Sequence, residues 1–281
     1  METGPGEIRH VSDTALMTAA CRAMETERAD GLIRDLYAAR LAAERGMAIA
    51  RAMPDLDRVC FGMGLRTRYL DELVLATIAG ARIQCVLNVG AGLDSRPWRL
   101  DLPADLRWIE VDLPAMLEYK TRVMADVQPR CRREAMVVDV CDAEARRAMF
   151  DAAGSDAVLL ITEGLLPYLP GAVVNALAAS ENVAHHWLQD VISPAMAALG
   201  RMDKCRPIED VRAPDHLDGL QTIAALEQHG WRRKIHRNYG KDAWPFAAAR
   251  LQALLRLRAD STTVPPALPP DDPTGVHLFV R

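Results

Sequence analysis

Apolar residues recur along this chain with two different periods. Up to about residue 80 the spacing is helical. Ser12 or Asp13 can cap a helix that starts near Thr14, with Leu16, Ala19 or Ala20, and Ala23 on one face. Residues 31–50 predict a second amphipathic helix, with Leu32, Leu36, Ala39, Ala43 and Met47 as its stripe. A third covers roughly 56–79 and carries Arg66, Arg68, Tyr69 and Leu70. From Cys85 onward the pattern becomes short apolar runs between helix-competent stretches. Strands are predicted over Cys85–Val89, Arg107–Val111, Ala135–Val140, Asp156–Ile161 and His186–Ile192. The fourth is a continuous apolar run of the kind buried on both faces of a parallel sheet. Helices are predicted from Pro114 to about Asp126, after an Asp142 cap, over 171–184, from Asp215 to His229 and over 243–257. A strand opened by Gly230–Trp231 runs to about Asn238, and Val276–Arg281 closes the chain as another. Ser193–Asp218 reads as irregular, and VPPALPPDDPTG as a stiff connector poor in backbone donors. Strand–helix alternation of this kind predicts an α/β fold around a mostly parallel sheet.

The first strand–helix–strand unit carries the candidate chemistry. Cys85–Val89 leads into Gly90–Ala91–Gly92–Leu93–Asp94, and the next apolar run closes on Asp112, about 20 residues past the glycines. Glycines at 90 and 92 permit positive φ and close approach of a ligand to the backbone. Asp112 can accept hydrogen bonds from both hydroxyls of a ribose; Glu110, on the same face by strand alternation, is the second choice. A dinucleotide site wants a third glycine where Ser95 stands, and Asp94 lies where a pyrophosphate would come. A carboxylate repels a pyrophosphate and tolerates a cationic or zwitterionic ligand. The turn therefore suits a phosphate-free nucleoside such as S-adenosylmethionine better than NAD.

Composition narrows the picture further. The 281 residues suffice for one large domain, and a net charge of −4 implies no strong attraction to nucleic acid or an anionic membrane. No apolar run is long enough to span a bilayer, and METGPGEIRHVSD lacks the basic and apolar regions of a signal peptide. The expectation is a cytoplasmic protein. The six cysteines form no C-x-x-C pair, which predicts free thiols, and the seven histidines form no metal-ligand spacing. His185 and His186 are adjacent in a strand and point to opposite faces, so they do not jointly predict a metal site.

Three spaced motifs carry a family resemblance. Asn88–Arg96 (NVGAGLDSR), Glu110–Pro114 (EVDLP) with Lys120, and Glu163–Leu169 (EGLLPYL) resemble the leucine carboxyl methyltransferase family, which includes enzymes similar to bacterial polyketide O-methyltransferases. The resemblance implies a Rossmann-like class I methyltransferase fold, with a mostly parallel seven-stranded sheet and an antiparallel last strand. The chain then reads as a single domain: the helices of 1–80 precede the first strand and are expected to lie across the ligand edge of the sheet as an N-terminal helical lid, 81–281 forms the core, and 193–218, past a strand's C-terminal end, is the expected substrate loop. The implied cofactor is S-adenosylmethionine. Thr14–Ala15, Ala19, Arg22–Ala23 and Glu25 match the family's N-terminal motif, whose basic residue, here Arg22, reaches the cofactor carboxylate. Arg66 stands where the family places an arginine with the same partner. Asp139 and Val140 resemble the pair that flanks the adenine. Lys120 also matches and reads as structural.

Glu163, delivered by the fourth strand, can pair with the ammonium of the methionine moiety. The apolar stretch after it would wall the cleft, with Tyr168 pointing in or packing beneath. The bland alternatives are a solvated Arg22, a surface ion pair at Arg66 and a helix cap at Asp139, although Asp142 is the better cap. No constellation names a catalytic base. The leading function is S-adenosylmethionine-dependent O-methylation of a small-molecule hydroxyl or carboxyl group. Its rivals are protein C-terminal carboxyl methylation, nucleoside binding without catalysis, and NAD-dependent oxidation.

Overall fold

Two strands are apolar at every position, and they lie side by side at the centre of a seven-stranded sheet. β1 (Cys85–Val89) and β4 (Val158–Thr162) are buried throughout and pair in parallel. The computed structural model describes residues 8, 10–154, 157–180, 184–202, 211–259 and 271–281. With β2 (Arg107–Asp112), β3 (Arg132–Val137), β5 (His186–Val191), β6 (Arg232–Asn238) and β7 (Gly275–Val280), the spatial order is β3-β2-β1-β4-β5-β7-β6. The first five strands are parallel, and β7 runs antiparallel between β5 and β6. Strand order reverses between β1 and β4, which opens a crevice at their carboxyl ends, the usual ligand site of open α/β sheets.

Alternation along the strands supplies two cores. Leu87, Val89, Leu160, Trp187 and Phe279 face α6 (Ala143–Ala153), α7 (Gly171–Ala179) and α9 (Gly219–Gln228). Val86, Trp108, Leu159, Ile161 and Leu188 face α3 (Leu56–Ala81) and α10 (Trp244–Ala259). A third cluster joins α1 (Val11–Glu27) and α2 (Ala38–Ala52) to Leu93 and Trp98 of the glycine turn and its short helix α4 (Arg96–Arg99), and to Met116 of α5 (Pro114–Val123). Two buried carboxylates fasten α1. Asp13 pairs with Arg45 of α2 at 2.8 Å, and Glu25 with Arg250 of α10 at 2.6 Å.

The elements follow the sequence pattern with corrections at their ends. His10, not Ser12 or Asp13, caps α1, in a capping box with Asp13. Residues 31–37 are not helical, and Leu36 is 81% exposed. Asp35 explains this: its backbone N–H donates to Thr26 Oγ1, while its carboxylate accepts from Tyr37 N–H and is drawn inward by Arg22. α2 also kinks at Ala43, where φ is 50°. β3 ends at Val137 rather than Val140, because its partner β2 ends at Asp112, directly opposite. α7 stops at Ala179, α9 begins at Gly219 and β6 at Arg232. Pro194–Met202 (α8) is a helix inside the stretch expected to be irregular, with Ser193 Oγ accepting from Met196 N–H at its start. Residues 203–210, 260–270 and Cys205 lie outside the described residues. Four of the five described cysteines are buried and all five are free. Among the described residues no helix is long and apolar enough to cross a membrane.

The β7–β6 pair holds a pH-sensitive element. His277 is fully buried and stacks on His236 at 4.2 Å. Burial, with Arg233 and His236 adding to it, pushes its pKa from 6.5 down to about 3. The unfolded chain therefore takes up a proton below pH 6.5 that the native chain refuses, so stability falls as pH drops below that value. From this residue the loss should be roughly 2 kcal/mol at pH 5. Urea unfolding at pH 7 and pH 5 should show a smaller difference in His277→Leu than in the natural chain. Equal differences would contradict the assignment.

Candidate functional site

Four strand tips deliver polar groups to the crevice. β1 leads through Asn88 to the turn at Gly90 and Gly92, β2 ends on Asp112, β4 is followed by Glu163, and β5 carries Asp190. Gly90 (φ 67°) and Gly92 (φ 44°) both need the left-handed region. A Cβ on Gly90 would come within 2.8 Å of Leu165, and one on Gly92 within 3.5 Å of Ala15, so α1 lies directly against the turn. The Asp112 carboxylate accepts the N–H of Gly92 at 2.6 Å and of Leu113 at 2.7 Å. Burial nonetheless raises its pKa above the ordinary carboxylate range, against the pull of those two donors. Two accepted N–H groups leave it capacity for ribose hydroxyls. Beside it Leu113 presents apolar surface, 47% exposed.

Ion pairs knit the strand tips to the N-terminal helices. The Glu163 carboxylate meets Arg66 Nε of α3 at 2.9 Å and Arg96 of α4 at 2.7 Å. Arg96 also contacts Asp94 at 2.9 Å and Asp71 of α3 at 2.7 Å. Asp71 holds Arg99 as well, at 2.5 Å. Asp35 takes Arg22 Nε at 2.8 Å and the Ser95 hydroxyl at 2.6 Å, and Arg22 donates a further bond to Leu93 O at 2.7 Å. Arg66 reaches Asp190 at 3.3 Å, and Asp190 accepts the Gly164 N–H at 2.6 Å. Burial opposes the ionisation of Glu163, but Arg96 and Arg66 outweigh it and hold its pKa below the usual value. Asp94 is likewise buried, and Arg96 and Lys120 bring it down to about 2. Glu163 and Asp94 therefore remain charged at neutral pH.

Most of the residues expected from sequence meet here. Gly90, Gly92 and Asp112 form one hydrogen-bonded unit, and Glu163 touches Arg66 directly. Arg22 and Arg66 are neither solvated nor unpaired, since each already holds a carboxylate. Tyr168 is half-buried in the 3-10 turn Leu166–Tyr168 that follows Glu163. Val138 N–H donates to Asp112 O at 3.2 Å, which brings the 138–140 loop beside the β2 tip. Asp139 is exposed there and accepts the Cys141 N–H, Val140 buries its side chain in the core, and Asp142 is the helix cap. Glu110 is corrected as second choice for the ribose. It is fully buried, between Lys120 at 2.6 Å and Arg133 at 2.7 Å, and Lys120 is structural.

Asp35, Asp71, Arg96, Arg99 and Asp190 join the site without being expected from the sequence. Arg96 lies inside the NVGAGLDSR motif, and Asp190 is an acid near a strand end like Asp112 and Glu163, so both carried a usable signal. Among the described residues no group of His, Cys, Asp and Glu is placed to hold a metal ion.

A seven-stranded sheet in this order, with β7 reversed and acid-tipped strands around a glycine turn, defines a Rossmann-like fold of the methyltransferase kind. Solved structures agree. A DUF574 family protein of Streptomyces avermitilis superposes with a TM-score of 0.58, at 14% identity over 94% of this chain and 97% of its own, and so shares the fold. The sequence model for leucine carboxyl methyltransferases matches residues 15–180, and this chain belongs to that family. A Mycobacteroides abscessus relative, provisionally named an S-adenosyl-L-methionine-dependent methyltransferase, is 37% identical over 254 residues, 80% of this chain and 83% of its own length. A Mycolicibacterium smegmatis protein of the same provisional name is 41% identical over 184 residues. That match spans 59% of this chain and 61% of the relative, so this chain covers about three fifths of it.

Arg96 is the hub, and its removal exposes its role. Arg96→Met would leave the part-buried Asp71, Asp94 and Glu163 without the buried cation they share. Breaking a buried pair on one side destabilises by about 3–5 kcal/mol. Urea unfolding at pH 7 should show a loss of that size; a loss below about 1 kcal/mol would mean the cluster is effectively solvated.

Proposed function

We propose that this chain transfers a methyl group from S-adenosylmethionine to a hydroxyl or carboxyl oxygen of a small molecule. The observation that carries the proposal is the Glu163–Arg66 ion pair beside the glycine turn at the switch point. The amino-acid end of the donor is a zwitterion. It can enter between a carboxylate and a guanidinium, its ammonium on Glu163 and its carboxylate on Arg66, without stranding a charge. A guanidinium suits that carboxylate because it can bind both oxygens. Arg22 would support the same end through the Leu93 carbonyl and a shift from Asp35. The ribose would rest on Asp112 over Gly90 and Gly92, and the adenine between Leu113 and the Asp139–Val140 loop. Residues 1–80 would act as a helical lid over the 81–281 core, with 193–218 contributing acceptor contacts and Tyr168 walling the cleft.

Methyl transfer is an in-line displacement, with the acceptor oxygen held roughly 3 Å from the methyl carbon and opposite the sulfur. The new bond is O–CH3; the S–CH3 electron pair returns to sulfur, and the sulfonium becomes a neutral thioether. A carboxylate acceptor needs no base, and a phenol needs only a site that favours its anion. Positioning and desolvation are the catalytic means this site offers. A cleft of about 260 Å³ past the β5 tip offers room for a compact acceptor group next to the donor side.

Calorimetry with S-adenosylmethionine, S-adenosylhomocysteine and NAD tests the donor; binding of NAD alone would overturn it. Glu163→Ala and Asp112→Ala should each weaken donor binding by about 1.5–3 kcal/mol. The pH dependence separates the two acids. The Asp112 pKa is raised and that of Glu163 lowered. Affinity should therefore begin to fall at the upper end of the carboxylate range as Asp112 takes up its proton, and Asp112→Asn should remove that limb. A limb that persists in Asp112→Asn would assign it to another group.

A further inference from the structure

We infer that Arg212 forms an anion-reading subsite in the cleft beside the donor site, so that the acceptor is an amphipathic organic acid. The role of the cleft as acceptor site rests on the methyltransferase reading; the anion binding itself does not. The cleft lies past the ends of β4 and β5, with Leu166, Pro167, Val191 and Ile192 among its apolar walls. Its far wall is the segment 211–218. That segment is fastened to the loop after β4: Ala213 N–H donates to Pro167 O at 3.3 Å, and Asp215 O accepts from Gly171 N–H at 3.2 Å. His216 Nδ1 is tied to Ala213 O at 2.6 Å. The cleft is thus a walled site joined to the donor side through Asp190, which lines it while holding Arg66.

The charges lining it do not cancel. Asp190 is engaged by Arg66 and the Gly164 N–H. Asp218 caps α9, accepting from Leu220 N–H at 2.8 Å and Gln221 N–H at 2.9 Å. Arg212 has no carboxylate partner among the described residues, and its Nε is buried without an acceptor. A buried guanidinium N–H left unpaired is unfavourable, and an occupant that brings both an acceptor oxygen and a negative charge relieves it. The apolar walls then ask for a hydrocarbon body. An amphipathic carboxylate meets both demands, whereas the matching amide meets only the second and part of the first.

The test uses the full chain with S-adenosylhomocysteine present and two probes of one shape, 3-phenylpropanoate and 3-phenylpropanamide, titrated by ligand-observed NMR. The natural chain should bind the acid about tenfold or more tighter than the amide. Arg212→Gln should abolish that preference while amide and S-adenosylhomocysteine affinities stay unchanged. Arg212→Lys should keep part of it. Equal binding of the two probes, no binding of the acid, or a preference that survives Arg212→Gln would each overturn the proposal. S-adenosylhomocysteine affinity also reports whether each variant is folded. An acid preference intact in a chain that ignores S-adenosylhomocysteine would defeat the methyltransferase reading and leave the subsite standing.

Discussion

The Glu163 carboxylate, gripped by Arg66 from one side and Arg96 from the other, is the contact on which the arrangement depends. It joins three parts of the chain that lie far apart in sequence: helix α3, the glycine turn with α4, and the tip of β4. The Glu163–Arg66 pair is largely shielded, with 12% and 14% of the Arg66 and Glu163 side chains exposed, and a shielded ion pair is a poor source of net stability, since desolvation offsets much of the attraction. What it supplies is geometry. A carboxylate with two fixed cations has one place to be, and that place is the switch point of the sheet. The apolar strands β1 and β4 set the distance between the glycine turn and Glu163, and the ion pairs set orientation.

The same logic explains why the N-terminal helices sit where they do. Asp71 on α3, and Asp35 just before α2, are acids that meet guanidiniums of α4 and α1. Each lies in an interior where an unpaired charge would be strongly unfavourable, so helices and turn are held in register by mutual need. Leu165 packed against Gly90 adds a steric condition, since a Cβ on that glycine would come within 2.8 Å of it, while Gly92 is required by its left-handed φ of 44°. The result is a preassembled charged crevice that a zwitterion can enter by exchanging partners.

Much of this was legible in the sequence, and the exceptions have physical causes. Sheet class and the strands β1, β2 and β4 follow from run length and apolar patterning, and the reversed last strand follows from the family resemblance. The helix expected over 31–50 failed at its first turns because Asp35 is pulled into a tertiary ion pair that periodicity does not see. The third strand ends earlier than its pattern suggests, because apolar residues continue at Val138 and Val140 after the chain has run past the end of the partner strand β2. Gly90, Gly92, Asp112 and Glu163 stand out in the sequence because each follows or ends a strand. Asp71 and Arg99 do not, since a charge on a helix face reads as solvated until the partner helix is known. Asp190 obeys the strand-tip rule and was missed only because the stretch after it carried no motif.

A crystal structure of the chain with S-adenosylhomocysteine tests the central claim most directly. The account predicts the amino-acid end of the ligand between Glu163 and Arg66, the ribose on Asp112, and Gly90 packed beneath, with Arg66 turned from Glu163 to the ligand carboxylate. A ligand bound with Glu163 and Gly90 on opposite sides of it, or bound elsewhere with the Glu163–Arg66 pair intact, would contradict it.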